Sequence, residues 1–171
     1  KYEVIVASHK LPPGYGECPE LFPPCNTDIN AIYVLDGATG NIEWNRSVDY
    51  PIVITPAVAN LDNDTNLEIV VATDDGPNAA NFQNLSIGKG TLYAFDGKTG
   101  NQEWNYTVGG KVETSPAIAD IDSDGKLEIV FGAYDGKVYA IDENGNQDWV
   151  HNFGSIVLYS SAIGDVDGDG A

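Results

Sequence analysis

The nine residues Asp120-Ile-Asp122-Ser-Asp124-Gly-Lys126-Leu-Glu128 place carboxylates at loop positions 1, 3, 5 and 9 around a glycine at position 6. A glycine there permits the sharp turn that aims those side chains at one point, and the backbone carbonyl of Lys126 adds a fifth oxygen. An all-oxygen, flexible, strongly anionic cage suits Ca2+, whereas Mg2+ demands tighter octahedral geometry and keeps more of its water. Carboxylates packed this closely repel one another without a cation. A second copy reads Asn60-Leu-Asp62-Asn-Asp64-Thr-Asn66-Leu-Glu68. Asn60 supplies a neutral oxygen and Asn66 the carbonyl, but Thr65 stands in place of the glycine, which predicts a weaker or more strained site. A third set, Asp165, Asp167 and Asp169, stops before its closing acid, and Glu3 of another chain or a covalent neighbour fits that role. The loop is not an EF-hand, because its twelfth position is Phe131 and its flanks read as strands. Clusters of Asp, Asn and Gly also make ordinary turns. Recurrence at the same place in each repeat is what favours metal.

The elements that position these loops are set by an internal repeat. Asp36-Gly-Ala-Thr-Gly-Asn-Ile-Glu-Trp44 returns 60 residues on as Asp96-Gly-Lys-Thr-Gly-Asn-Gln-Glu-Trp104, and a looser copy, Asp142 to Trp149, follows. Thr55-Pro-Ala-Val-Ala-Asn60, Ser115-Pro-Ala-Ile-Ala-Asp120 and Ser160-Ser-Ala-Ile-Gly-Asp165 keep step with it, as do the runs opening at Glu3, Glu68 and Glu128. Each unit reads as four short strands, in the cleanest copy 115–120, 128–133, 137–142 and 147–153. The second and third are nearly continuous apolar runs, as expected of strands covered on both faces. The fourth alternates, with Gln102, Trp104, Tyr106 and Val108 on one face and Glu103, Asn105 and Thr107 on the other. Four-stranded antiparallel units of about 45 residues, repeated radially, are the blades of an all-β β-propeller. A stacked β-solenoid is the alternative, but its coils are shorter.

Blade equivalents fall at about 1–54, 55–114 and 115–159, with 160–171 beginning the next, and insertions at 9–30 and 75–90 break the period. Propellers close with four to eight blades. Three leave two raw edges. The chain is therefore expected to be part of a larger ring, or a protomer completed by a neighbour that shares its first strand and calcium loop.

The run from Ser115 to Ala133 resembles the FG-GAP/VCBS repeat of integrin α-subunit propellers and microbial surface proteins. That resemblance implies calcium at the loop acids named above. The Phe-Gly that opens the family motif is missing and Tyr134 replaces its Pro, so the likeness is to the broader group. Leu35-Asp-Gly-Ala-Thr-Gly-Asn-Ile-Glu-Trp44 and its copies are similar to quinoprotein-like propeller blades. This second likeness implies that a Trp on the outer strand locks neighbouring blades together.

The 171 residues carry 26 Asp and Glu against 8 Lys and Arg, a net charge of −18. Such a surface repels phosphate backbones and anionic lipid, which argues against nucleic-acid binding and electrostatic membrane docking. Halophilic solvation is the plainer account of the charge. No apolar run approaches the roughly 20 residues that span a bilayer. The absence of Met implies that something upstream of Lys1 was removed. Cys18 and Cys25 are expected to close a short disulfide loop, and Asn45, Asn63, Asn84 and Asn105 each open a glycosylation sequon. Both features point outside the cytoplasm. Tyr15, Phe22 and Phe82, in the insertions, are candidate contacts for a glycan or a surface protein. Catalysis is not expected: His9 and His151 stand alone, and no basic cluster serves a polysaccharide lyase, the nearest enzymatic alternative. The expected role is extracellular, calcium-stabilised and structural or adhesive, by self-association or with further blades. A carbohydrate- or protein-binding module is the runner-up.

Overall fold

The computed structural model describes residues 2–8, 30–62, 64–74 and 88–168. Cys18, Cys25, Asn63, Asn84, Asp169 and the insertion aromatics Tyr15, Phe22 and Phe82 lie outside the described residues.

The strands are β1 (Glu3–Ser8), β2 (Asn30–Asp36), β3 (Ile42–Val48), β4 (Ala57–Ala59), β5 (Glu68–Asp74) and β6 (Gly90–Asp96), followed by β7 (Gln102–Val108), β8 (Ala117–Ala119), β9 (Glu128–Gly132), β10 (Lys137–Ile141) and β11 (Gln147–Asn152). They form three antiparallel sheets in chain order, β1-β2-β3, β4-β5-β6-β7 and β8-β9-β10-β11. Among the described residues no helix is long and apolar enough to cross a membrane.

The run Ile69-Val-Val-Ala-Thr73 has no wet face in its sequence, and all five residues are buried in the middle of their sheet. Glu128 to Gly132 behaves in the same way. The first strands β4 and β8 are shorter than their apolar runs, for two reasons. Pro56 and Pro116 have no N–H to give. One residue earlier, the Thr55 N–H is already donated to Ser115 Oγ at 3.1 Å, and the Ser115 N–H to Ser160 Oγ at 3.0 Å. These two bonds run from each first strand to the start of the next, which makes a polar belt between blades.

The outer strand departs from simple alternation at one point. Ala94 faces Trp104 but Phe95 faces Gln102, so Glu103 is the extra residue of a bulge. Gln102 is therefore exposed rather than in phase with Trp104, Tyr106 and Val108. The other two sheets repeat the irregularity, with Glu43 between Ile42 and Trp44 and Asp148 between Gln147 and Trp149.

One hydrophobic core draws on all three sheets, including Ile32 and Val34, then Ile69 and Leu92, then Phe131 and Ile141. Thr114, fully buried just ahead of β8, donates through Oγ1 to the Gly132 carbonyl at 2.8 Å and accepts from the Gly132 N–H at 2.9 Å. Thr114→Val keeps the shape and strands both backbone groups, so it is expected to cost about 2–4 kcal/mol in chemical denaturation. Thr114→Ser should retain most of that stability. An unchanged midpoint for the valine variant would show that Gly132 finds other partners.

Candidate metal centre

Each acidic loop hangs between a short first strand and a long second one, at the end of the sheet where β5 and β9 begin. Glu68 and Glu128, the closing acids, are the first residues of those strands and are buried. The Leu61 N–H donates to Glu68 Oε2 at 2.5 Å and the Ile121 N–H to Glu128 Oε2 at 2.8 Å. In each, one carboxylate oxygen thus fixes the loop, and in Glu68 the other is left for a ligand.

In the loop of the second sheet, carboxylate oxygens of Asp62, Asp64 and Glu68 lie within 4.8 Å of one another. Asp62 Oδ1 accepts from the Asp64 N–H at 2.9 Å, and Asn66 donates to Asp64 through its backbone and, at 3.1 Å, through its side chain. Among the described residues, two buried oxygens in this loop have no hydrogen-bond partner, Glu68 Oε1 and Asn60 Oδ1. A buried carboxylate oxygen without a donor is costly. A cation among these oxygens removes that cost, and the donor set, hard oxygen throughout, fits calcium.

The loop of the third sheet gathers Asp120, Asp122 and Glu128 within the same 4.8 Å. Asp124, expected in the cage, does not join that group. It turns back to accept from the Lys126 N–H at 2.8 Å, while its own N–H reaches both Asp120 and Asp122. The Lys126 ammonium turns to Glu143 at 3.0 Å. Gly125 takes the left-handed conformation that the sequence requires of it, with φ at 88°, and Ser123 does so as well at 63°. Thr65 has no positive φ, so the strain expected from a missing glycine is not there. Asn66 holds that loop instead, its side chain also bridging to Asp96 Oδ2 at 3.0 Å. Of the third set, Asp165 Oδ1 accepts the Gly168 N–H at 2.6 Å, and Glu3 is exposed on β1. Among the described residues of one chain Glu3 forms no metal-sized group with Asp165 or Asp167.

Sequence reasoning missed a second acidic layer. Glu68 also lies within 4.8 Å of Asp96 and Glu103. Glu68 and Asp96 are directly opposed across β5 and β6, and the bulge aims Glu103 at the same place. The signal was present in the repeat: an acid ends every third strand (Asp36, Asp96, Asp142), and another precedes every Trp (Glu43, Glu103, Asp148). Desolvation first, and then the charges of Glu68, Asp62, Asp96 and Asp64, push Glu103 up to about 7. Glu68, Glu128 and Asp148 are raised for the same reasons, desolvation leading in each. Asp96 is lowered, chiefly by the Thr99 hydroxyl at the turn. The cluster stores repulsion.

Opposite faces of the blades are joined by tryptophan. Trp44 Nε1 donates to the Gly97 carbonyl of the next sheet at 2.8 Å, and Trp104 Nε1 to the Glu143 carbonyl at 2.9 Å. Their rings lie over Gly100 and Gly145, where an added Cβ would stand 2.7 and 2.9 Å from ring carbon. A family model described as outer membrane protein assembly factor BamB matches residues 25–149, which takes in most of this repeat. The chain belongs to that family. In this BamB-family chain the quinoprotein-like half of the sequence resemblance is thus supported by the match, while the calcium-loop half rests on the loops themselves. The crystal structure of BamB from Moraxella catarrhalis shares the β-propeller fold, with a TM-score of 0.51 and 18% identity, covering 71% of this chain. The chain covers only 30% of that protein's length. No curated protein matches it.

Proposed function

We propose that this chain is a non-catalytic, calcium-stabilised propeller segment that serves assembly at the cell envelope or cell surface. The observation that carries the reading is the buried, unpartnered Glu68 Oε1, set among the carboxylates of Asp62 and Asp64. Asn60, Asp62, Asp64, Asn66 and Glu68 hold one ion, and Asp120, Asp122, Lys126 and Glu128 hold the other, with Asp124 close by. Each ion cancels part of a charge that otherwise drives the blades apart. Support for the assembly role comes from the family, whose name is that of an outer membrane protein assembly factor. Support for an exterior location comes from Asn45 and Asn105, exposed at matching places on the outer strands β3 and β7, where glycans leave the blade ends open.

Titrating calcium into the metal-stripped chain in a calorimeter tests the reading. Two binding events are expected, with Kd in the range of roughly 10⁻⁴–10⁻³ M common to extracellular modules. Glu68→Gln should abolish one event and Asp122→Asn the other, and magnesium should bind more weakly to both. No heat at millimolar calcium would overturn the assignment.

A further inference from the structure

The acids of the second sheet fall on two sides of one residue. Asp62 and Asp64 group with Glu68 on the loop side, and Asp96 and Glu103 group with it on the sheet side. In each group one carboxylate oxygen from every member lies within 4.8 Å of the others, but among the described residues no such group joins the loop pair to the sheet pair. Calcium–oxygen distances of about 2.3–2.6 Å put two ligands of one ion at most about 5 Å apart. An ion in the loop can therefore take Glu68 with Asp62 and Asp64, and it leaves Asp96 and Glu103 outside its shell.

Charge leads to the same place. Asp62, Asp64, Glu68, Asp96 and Glu103 carry five negative charges when ionised, and among the described residues no Lys or Arg forms an ion pair with any of them. One divalent ion leaves three of those charges, and a second leaves one. Asp96 has help from its turn, where Oδ1 accepts from the Thr99 N–H at 2.6 Å and the Thr99 hydroxyl at 2.5 Å, and from Asn66, which donates to Oδ2 at 3.0 Å. Among the described residues nothing donates to the Glu103 carboxylate. Glu68, the member common to both groups, is fully buried, and its Oε1 has no hydrogen-bond partner. A buried anionic oxygen without a donor is costly, and a cation on the sheet side offsets the repulsion that the loop ion does not reach.

The third sheet meets the same repulsion differently. Glu128, Asp142 and Asp148 hold the equivalent repeat positions but make no group of that size among the described residues. There the seventh loop residue is Lys126 instead of Asn66, its ammonium lies 3.0 Å from Glu143, and its charge reaches Asp142. Asp142 also accepts from Asn146, through the backbone N–H at 2.6 Å and the side chain at 2.9 Å. A tethered cation thus stands where the second sheet offers only acids and an amide.

We propose that the second sheet binds a further calcium ion, held by Glu68, Asp96 and Glu103, with Glu68 bridging it to the ion in the loop. The proposal rests on the loop assignment above, because the two ions share a carboxylate. It gives the bulge of the outer strand a role, since the extra residue there is the one that completes the site. Glu103 is exposed, so the ion enters from solvent at that edge. Beside a filled loop the incoming ion meets charge that is already partly cancelled, and it binds more weakly than the loop ion.

Equilibrium dialysis of the 171-residue chain against radioactive calcium counts ions per chain. Three are expected at saturation, one in each loop and one on the sheet side, the last filling at higher calcium. Glu103→Gln and Asp96→Asn, made on neighbouring strands, should each lose that ion and keep the other two, and circular dichroism checks that each variant retains its strands. Glu68→Gln should lose two ions. Asp148→Asn, the equivalent change in the third sheet, should keep all three. Three ions that survive both Glu103→Gln and Asp96→Asn overturn the proposal, because the extra ion then sits elsewhere. Two ions in the unaltered chain, of which Glu68→Gln removes one, overturn the sheet-side site and leave the loop assignment standing. A chain that binds no calcium overturns both.

Discussion

Calcium at about a hundredfold excess over Kd is expected to raise the melting midpoint of the metal-free chain by roughly 10–20 °C. Each loop, if it holds an ion as proposed, would contribute about 2.7 kcal/mol at that excess, since such an ion binds the folded state and the unfolded chain offers no cage. Two loops give about 5 kcal/mol, and a domain of this size gains about 2–4 °C per kcal/mol. Glu68→Gln, which keeps the volume and removes the charge, should roughly halve the shift. The direction with pH is a sharper check. Glu103 is raised from 4.5 to about 7, so the metal-free folded state takes up a proton that the unfolded chain does not hold across that window. Its contribution is fully present below 4.5 and is lost as pH rises through about 7. Glu68 and Glu128, also raised, act in the same sense. Asp96 and Asp142 are lowered, and what they contribute disappears only at pH below the ordinary 3.8, outside that window. The metal-free chain is therefore expected to melt higher at pH 5 than at pH 8. Calcium must displace those protons, so its stabilising shift grows with pH. A calcium shift of the same size at pH 5 and pH 8, or a metal-free chain most stable at pH 8, would contradict the account.

The blades were legible because the fold is repetitive and its signals are short-range. Asp36 to Trp44 and its copies fix a turn and an outer strand, and the runs from Glu68 and Glu128 fix the central strands, each by residue type alone. The loop acids were legible for the same reason. What escaped was anything that depends on one residue out of phase. Period-two reading puts Gln102 with Trp104, but the bulge inserts Glu103 between them and turns it toward Glu68. The missing glycine at Thr65 looked like strain because a single-loop rule cannot see Asn66 bridging from Asp64 to Asp96 on a strand 30 residues away. Asp124 was counted as a ligand on spacing, and one of its oxygens accepts the Lys126 N–H just as one of Asp64 accepts the Asn66 N–H, yet only Asp64 falls within the metal-sized group of its loop. The carbonyls that take the Trp44 and Trp104 indoles are invisible in composition, and only the family resemblance implied that such seats exist.

Trp104→Ala is expected to be the most damaging single change at a blade joint, costing about 3–4 kcal/mol. Large aromatic truncations in packed sites cost about 3–5 kcal/mol. Trp104 is only partly buried, but it also loses the indole bond to Glu143 and uncovers the turn at Gly145. Trp104→Phe keeps most of the ring contact and loses the bond, so it should cost about 1 kcal/mol or slightly more. Gly145→Ala attacks the same joint from the other side. Its Cβ would stand 2.9 Å from the Trp104 ring, at a φ of 83° that alanine disfavours. In the double variant the ring is gone and only the backbone cost of alanine remains. The two losses should therefore sum to less than their separate values by about 1 kcal/mol or more, the coupling expected of groups in contact. Trp44 and Gly100 repeat the geometry and should repeat the result. Trp149 sits in the same repeat position but is 42% exposed, with no seat among the described residues, so Trp149→Ala should shift the denaturation midpoint little. Equal losses at Trp44, Trp104 and Trp149 would mean that tryptophan stabilises each sheet from within, and the joint between blades would need another explanation.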